Sequence, residues 1–252
     1  MHEAYLLIFL FGLAFGSFLN VVILRVRHQE SFWHGRSCCP YCKKQLAWYD
    51  LIPVLSFVVL RERCRHCKKN ISLQYPIVEL WMGVVFVAIS YLHWRNGVMI
   101  TAELIRDLVM VTLLTFIFIY DFLFYEIITN AVWASSFILF ICSLIFQWRS
   151  WREMAVGIAV AGGFFLLQYS LSRGKWIGGG DISLGVFMGV SLGWPLTLIG
   201  LFFTYVVGAL MSVVLILLKR KKMTDRTPLG TYLAIGMGVA LLMGNQLIGF
   251  IW

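Results

Sequence analysis

Charge is what this sequence has least of. Only 13% of its 252 residues are charged, against about 25% in an ordinary soluble domain, and that excludes a water-soluble fold with a conventional polar surface. Acids are the scarcer sign, with twelve Asp and Glu against 21 Lys and Arg and a net charge of +9. Histidine is scarce as well. His2, His28, His34, His66 and His93 form no H-E-x-x-H pattern, and none stands in the interior of an apolar run. A helix-borne zinc protease and a Ser-His dyad at membrane depth are thereby excluded. Low-complexity sequence is absent, no internal repeat is evident, and no aromatic or basic recognition surface for nucleic acid is found.

What the chain has instead is apolar length: 60% of residues are hydrophobic. Eight runs approximate the roughly 20 residues that a helix needs to cross a bilayer, over 4–24, 75–94, 103–121, 127–147, 154–172, 181–193, 196–218 and 229–251. The sixth is short, which suits a tilted or broken span beside a cavity. The first has no small-residue cleavage site and reads as a retained span rather than a signal peptide. With the N-terminus outside, the inner segments 25–74, 122–126, 173–180 and 219–228 carry 10, 0, 2 and 5 Lys and Arg, which is 17 of the 21. Basic residues favour the cytoplasmic side, so that orientation is expected, and topology accounts for most of the positive charge. The run Lys219-Arg220-Lys221-Lys222 reads as an anchor on anionic lipid. The expected fold is an all-α polytopic membrane protein of about eight transmembrane helices. Its parts are a first helix over 1–24, a cytoplasmic cysteine-rich loop domain over 25–74 and a multi-helix membrane domain over 75–252.

The loop domain holds Cys39-Pro40-Tyr41-Cys42 and Cys64-Arg65-His66-Cys67. Two such knuckles at near-ribbon spacing suit four thiolates around one zinc ion, and about 50 residues bury too little apolar surface to fold easily without a cross-link. Disulfides are the competing reading, which a cytoplasmic location disfavours. Cys38 is a spare neighbour able to substitute as a ligand, and Cys142, inside the fourth run, reads as a small apolar residue.

So few acids can be sorted one by one. Glu3, Glu103, Asp107 and Glu153 fall on the outer side, and Glu30, Asp50, Glu62 and Asp225 in cytoplasmic loops. Glu79, Asp121, Glu126 and Asp181 remain at the cytoplasmic boundary. Glu126 reads as a first-turn acid of the fourth helix, and Glu79 as polar lining or a partner for loop arginines. Asp121 closes the third run, and Asp181 follows Gly178-Gly179-Gly180 at the head of the sixth. Asp181 in that place reads either as an N-cap or as one of two carboxylates brought to one depth. Two close carboxylates suit peptide hydrolysis, because one holds a proton and polarises the carbonyl while the other activates water. Adjacent glycines would let a substrate backbone approach.

In this order the motifs resemble the type IV prepilin leader peptidases, the G-x-G-D membrane aspartyl proteases, and in particular the competence-type members. The likeness is carried by Gly16-Ser17-Phe18-Leu19-Asn20-Val21-Val22, both cysteine knuckles, Ile52-Pro53-Val54-Leu55-Ser56-Phe57, Tyr75-Pro76-Ile77-Val78-Glu79-Leu80, Asp121, Gly178 to Asp181 and Pro228-Leu229-Gly230. The resemblance implies that Asp121 and Asp181 are the catalytic pair. It implies a prepilin or pseudopilin substrate, cut after a glycine at the cytoplasmic end of its leader. It also implies N-methylation of the new terminus from S-adenosylmethionine at the cysteine-bearing loop, with Glu79 and Asp50 as candidates for that step. The chain departs from the family pattern at Ile128, usually proline, at Ser183, usually basic, and at Glu62, usually glycine. Two other readings compete. One is a proton- or cation-coupled transporter using Asp121 and Asp181, and the other a membrane-anchored zinc-ribbon adaptor, which leaves both aspartates without a task.

Overall fold

The structure is a computed structural model that describes residues 2–31, 35–95, 101–220, 222 and 227–251. His34, Lys221 and Asp225 lie outside the described residues. Nine α-helices are described, with a single 3-10 turn over Trp48–Leu51: α1 (His2–Arg27), α2 (Leu55–Val59), α3 (Gln74–Trp94), α4 (Ala102–Phe124), α5 (Thr129–Ile145), α6 (Trp151–Ser172), α7 (Gly179–Leu192), α8 (Leu196–Leu217) and α9 (Leu229–Ile251). Apart from the short α2 they stand where the eight apolar runs lie, with no boundary displaced by more than three residues. Five of them, α1, α3, α4, α6 and α8, are long and apolar enough to cross a membrane. This is a multi-pass, all-helical membrane protein.

The chain forms two compact units, divided between Thr112 and Leu113 within α4. In the first, α1 packs on α3. Asn20, fully buried, joins them by donating to the Tyr75 carbonyl at 3.3 Å and accepting from Gln74 Nε2 at 3.2 Å. Where α3 ends, His93 Nε2 meets Asp107 Oδ2 of α4 at 2.9 Å, and Arg106 Nε holds the other oxygen at 2.8 Å.

In the second unit α7 is the central element, packed against α5, α6, α8 and α9. Its 14 residues span only about 21 Å at 1.5 Å per residue, short of the roughly 30 Å hydrocarbon core. A short helix suits this position because neighbours rather than lipid surround it. Leu184, Phe187 and Met188 are fully buried, and Gly185 and Gly189 let α7 approach the α6 backbone at Ala161 and Gly157 more closely than a Cβ would allow. Small residues set such close contacts between membrane helices. The start of α6 is written locally as a capping box, with Ser150 Oγ accepting from the Arg152 amide and Glu153 accepting from the Ser150 amide, both at 3.3 Å.

The loop between α1 and α3 contains a repeat that the sequence reading missed. Residues 37–46 and 62–71 adopt the same hairpin 25 positions apart. The amide of Lys43 donates to the Cys39 carbonyl, and that of Lys68 to Cys64. The amides of Cys39 and Cys64 donate to Lys44 and Lys69, and those of Leu46 and Ile71 to Ser37 and Glu62. Lys43 and Lys68 take the same left-handed turn, at φ 57° and 58°. The written trace is C-x-x-C-K-K followed by Gln-Leu or Asn-Ile, and it is too short to stand out where the flanking side chains differ.

Glu62 sits at φ 63°, a left-handed conformation that costs an ordinary residue about 1–2 kcal/mol and glycine nothing. That accounts for the glycine usual at this place in the family the chain resembles. Glu62→Gly is therefore expected to slow amide exchange across 62–71 in the full-length protein by about fivefold, the equivalent of about 1 kcal/mol.

Candidate active site

Asp121 lies three residues before the end of α4 and is buried at 5% exposure. Its Oδ2 accepts the Thr231 amide at 2.7 Å and the Thr231 hydroxyl at 3.1 Å. Thr231 is the third residue of α9, where amides have no partner within the helix. Asp121 thus satisfies the start of one helix from the end of another, where the helix dipole favours an anion. Gly230 makes the approach feasible. A Cβ there would stand 3.0 Å from Asp121 Oδ2 and 3.2 Å from Leu184 Cδ1.

Asp181 is buried at 6% exposure on the first turn of α7. Its Oδ2 accepts the Gly178 amide at 2.8 Å. The N-cap is Gly178, so the N-cap reading of Asp181 is corrected: it is the N3 residue, reaching back as the acidic half of a capping box. Leu184 lies one turn beyond it and touches the Gly230 position that Asp121 borders. Asp121 and the helix that carries Asp181 thus border the same glycine.

The three glycines differ in surroundings. A Cβ on Gly179 would meet nothing within 4 Å, whereas one on Gly180 would strike Ile127 at 2.9 Å. Ser183 is buried and donates back to the Gly180 carbonyl at 2.6 Å. Ile128 has φ −80°, within the range a proline ring imposes. Glu126 precedes α5, whose first turn has no acid, so its reading as a first-turn acid is corrected. Thr231 had no assigned role in the sequence reading. Its only written signal is its place at the head of an apolar helix, directly after the Pro-Leu-Gly motif.

In the first unit, the sulfurs of Cys39, Cys42, Cys64 and Cys67 all lie within 4.8 Å of one another, so that the four thiols could hold a metal ion. The Cys39 and Cys67 sulfurs are 3.8 Å apart. A tetrahedron of sulfurs at about 2.3 Å from zinc has edges of about 3.8 Å, whereas a disulfide is about 2.05 Å long. The amides of Cys67 and then His66 hold the Cys64 thiol down at about 6, while, against the pull of the Lys69 amide, burial and the three neighbouring thiols push Cys67 up to about 11, so that Cys64 is the first of the set to supply the thiolate that a metal needs. Cys38 is exposed and outside the group; its counterpart in the repeat is Arg63, which faces Asn70 as Cys38 faces Gln45. Cys142 is half-buried in α5.

Asp50, beside this cluster, is tied to Arg65 of the second knuckle, with Nη2 to Oδ1 at 2.7 Å and Nε to Oδ1 at 3.1 Å. Glu79, buried in α3, accepts the Val54 amide at 2.7 Å. Its loop partner is thus a backbone amide rather than an arginine.

Comparison with known proteins yields one family. Residues 10–93 match the bacterial Peptidase A24 N-terminal domain and residues 108–213 the type IV leader peptidase family. The chain is 32% identical to the prepilin leader peptidase/N-methyltransferase of Bacillus subtilis, over 97% of this chain and 96% of that one. It is 34% identical to that of Aeromonas hydrophila, over 96% and 91%. No solved structure matches the chain.

Proposed function

The chain belongs to the type IV leader peptidase family, and from that premise we propose that it removes the leader from prepilins or pseudopilins with Asp121 and Asp181 as the catalytic pair, and methylates the new N-terminus. The observation that supports the pair is that two buried carboxylates, each accepting a helix-start amide, belong to helices that both border Gly230. Close carboxylates share a proton. The ionised one takes a proton from water as the water oxygen bonds to the scissile carbonyl carbon. The protonated one donates to the carbonyl oxygen, and collapse breaks the C–N bond with a proton delivered to the leaving amine. Gly178 and Gly179 leave the backbone side of Asp181 open for a substrate strand.

We place the enzyme in the bacterial cytoplasmic membrane with its N-terminus outside, on the distribution of Lys and Arg. The aspartates and the cysteine loop then face the cytoplasm. The metal assigned to Cys39, Cys42, Cys64 and Cys67 is structural zinc, since four thiolates leave no open position for chemistry. S-adenosylmethionine supplies the methyl group in the second activity. Asp50 and Glu79 are engaged within the protein by Arg65 and Val54. They are assigned the role of shaping the loop for that activity, and no transfer step is routed through them. Nothing in the comparisons favours a transporter.

Incubating proteoliposomes of the protein with a prepilin and weighing the mature N-terminus tests both activities. Loss of the leader with addition of one methyl group is the expected result. Leader loss without methylation despite added cofactor removes the second activity, and an intact precursor removes the first.

The placement of Gly230 gives a finer prediction. In Gly230→Ala the new methyl group pushes on the Asp121 carboxylate. A displacement of about 1 Å costs roughly 10²-fold in rate, and a contact at 3.0 Å is relieved by a few tenths of an ångström, so kcat for leader removal is expected to fall by about threefold to tenfold with KM little changed. Thr231→Val retains the amide donor and removes the hydroxyl, and is expected to lose less, which steady-state rates on the two variants would show.

A further inference from the structure

The segment between the cysteine knuckles carries an apolar surface that the peptidase and metal sites leave unexplained. Along 48–59 the side chains of Trp48, Leu51, Ile52, Leu55, Val58 and Val59 are exposed, Trp48 at 76% and Val58 and Val59 at about two thirds. So many exposed apolar side chains within twelve residues mark an interaction surface. Beyond it, Arg61, Arg63 and Lys68 line a concavity with Val59 and Leu60. Arg65 lines it too, but is committed to Asp50.

The position of this segment identifies its occupant. The Val54 amide, immediately before α2, donates to Glu79 at 2.7 Å. Glu79 is the sixth residue of α3, about 7.5 Å along a helix whose 21 residues measure about 31 Å, the thickness of the hydrocarbon core. With α3 spanning the core, the bond holds the start of α2 at membrane depth, within about 7.5 Å of the boundary, rather than out in water. Val54 is held there at φ 61° and ψ −47°, a conformation that a β-branched residue rarely adopts. Both ends of the loop enter membrane helices, at Arg27 of α1 and Gln74 of α3. An exposed apolar turn, an aromatic and a cluster of cations at that depth is the composition of an element lying in the plane of the interface.

We infer that residues 48–59 lie in the bilayer interface, with the apolar face of α2 among the upper acyl carbons and Arg61, Arg63 and Lys68 on the phosphates of anionic lipids. The occupant is the lipid leaflet itself, and the arginine-rich concavity is a headgroup site. The cysteine knuckles then hang from a membrane-seated platform, held at a set height above the bilayer.

Photo-crosslinking tests this. The full-length protein is placed in nanodiscs of phosphatidylcholine containing a trace of either phosphatidylglycerol or phosphatidylcholine bearing a diazirine near the top of one acyl chain. Adducts are then mapped by mass spectrometry. The expected result is labelling within 51–59 by both probes, with phosphatidylglycerol preferred. In R61Q/R63Q/K68Q that preference should drop by about fivefold per cation removed, while labelling by the phosphatidylcholine probe and the metal content are retained. Adducts confined to the long helices would overturn the inference. So would loss of the preference on adding inorganic phosphate, which would make the concavity a site for free anions. Displacement of the 51–59 adducts by a soluble peptide matching a prepilin N-terminus would make the face a protein seat instead.

Discussion

Asp121→Asn and Asp181→Asn are each expected to lower the rate of prepilin leader removal by about 10⁴-fold, the upper range for losing a positioned acid or base, while the protein still folds and inserts. The geometry separates these effects. An asparagine at 121 can turn its carbonyl oxygen to the Thr231 amide and hydroxyl that Oδ2 of Asp121 now accepts, and one at 181 can do the same for Gly178. Helix content and detergent stability should therefore stay near those of the parent protein. What the amides cannot do is exchange a proton with water or with a carbonyl oxygen. The double variant should be no slower than either single one, because groups that act as a unit are not additive. Rates measured on a prepilin in proteoliposomes, with circular dichroism on the same samples, decide the matter. Full cleavage by either single variant sinks the assignment of the pair.

The second large effect is expected at the cysteine cluster. Purified protein should carry about one zinc ion per chain, and Cys64→Ser should reduce that to near zero. Among the described residues of 35–73, only Cys39, Asp50 and Cys64 are buried. This domain thus has no apolar core of its own, and a bound zinc ion, at about 10–16 kcal/mol in small zinc domains, would replace one. Removing it should release the amides of 37–46 and 62–71 to rapid hydrogen exchange while the long helices keep their protection. Cys38→Ser provides the control. Cys38 is exposed and outside the cluster, so metal content and exchange should both be unchanged. Normal protection in metal-free Cys64→Ser would show that the loop folds without its ion.

Several features were legible in the sequence because they are local. Apolar length gives a helix wherever it occurs in lipid, and each long helix lies within three residues of its apolar run. Paired knuckles declare a thiolate cluster, since a ligand set needs little beyond its spacing, and the four sulfurs do come together. The reading failed where a residue's role depends on what packs beside it. Asp181 reads from sequence as an N-cap or as half of a carboxylate pair, and its carboxylate turns back to Gly178 from the N3 position, which replaces the N-cap alternative. Glu126 looked helical because an acid before an apolar run usually is, but the helix begins at Thr129.

By itself, then, the sequence determined that this is a helical membrane protein with a four-cysteine loop and two acids at helix ends, one of them behind three glycines. Hydrophobic burial and ligand spacing act over a few turns of chain and are written there directly. Only the tertiary structure decided that Asp121 meets Thr231, 110 positions away, that Gly230 is small because a carboxylate and Leu184 press on it, and that Glu79 holds the loop amide of Val54. Each of these contacts exists because two helices pack at one depth and in one rotation. That choice is made by the fit of many side chains together, and no short stretch of the sequence records it.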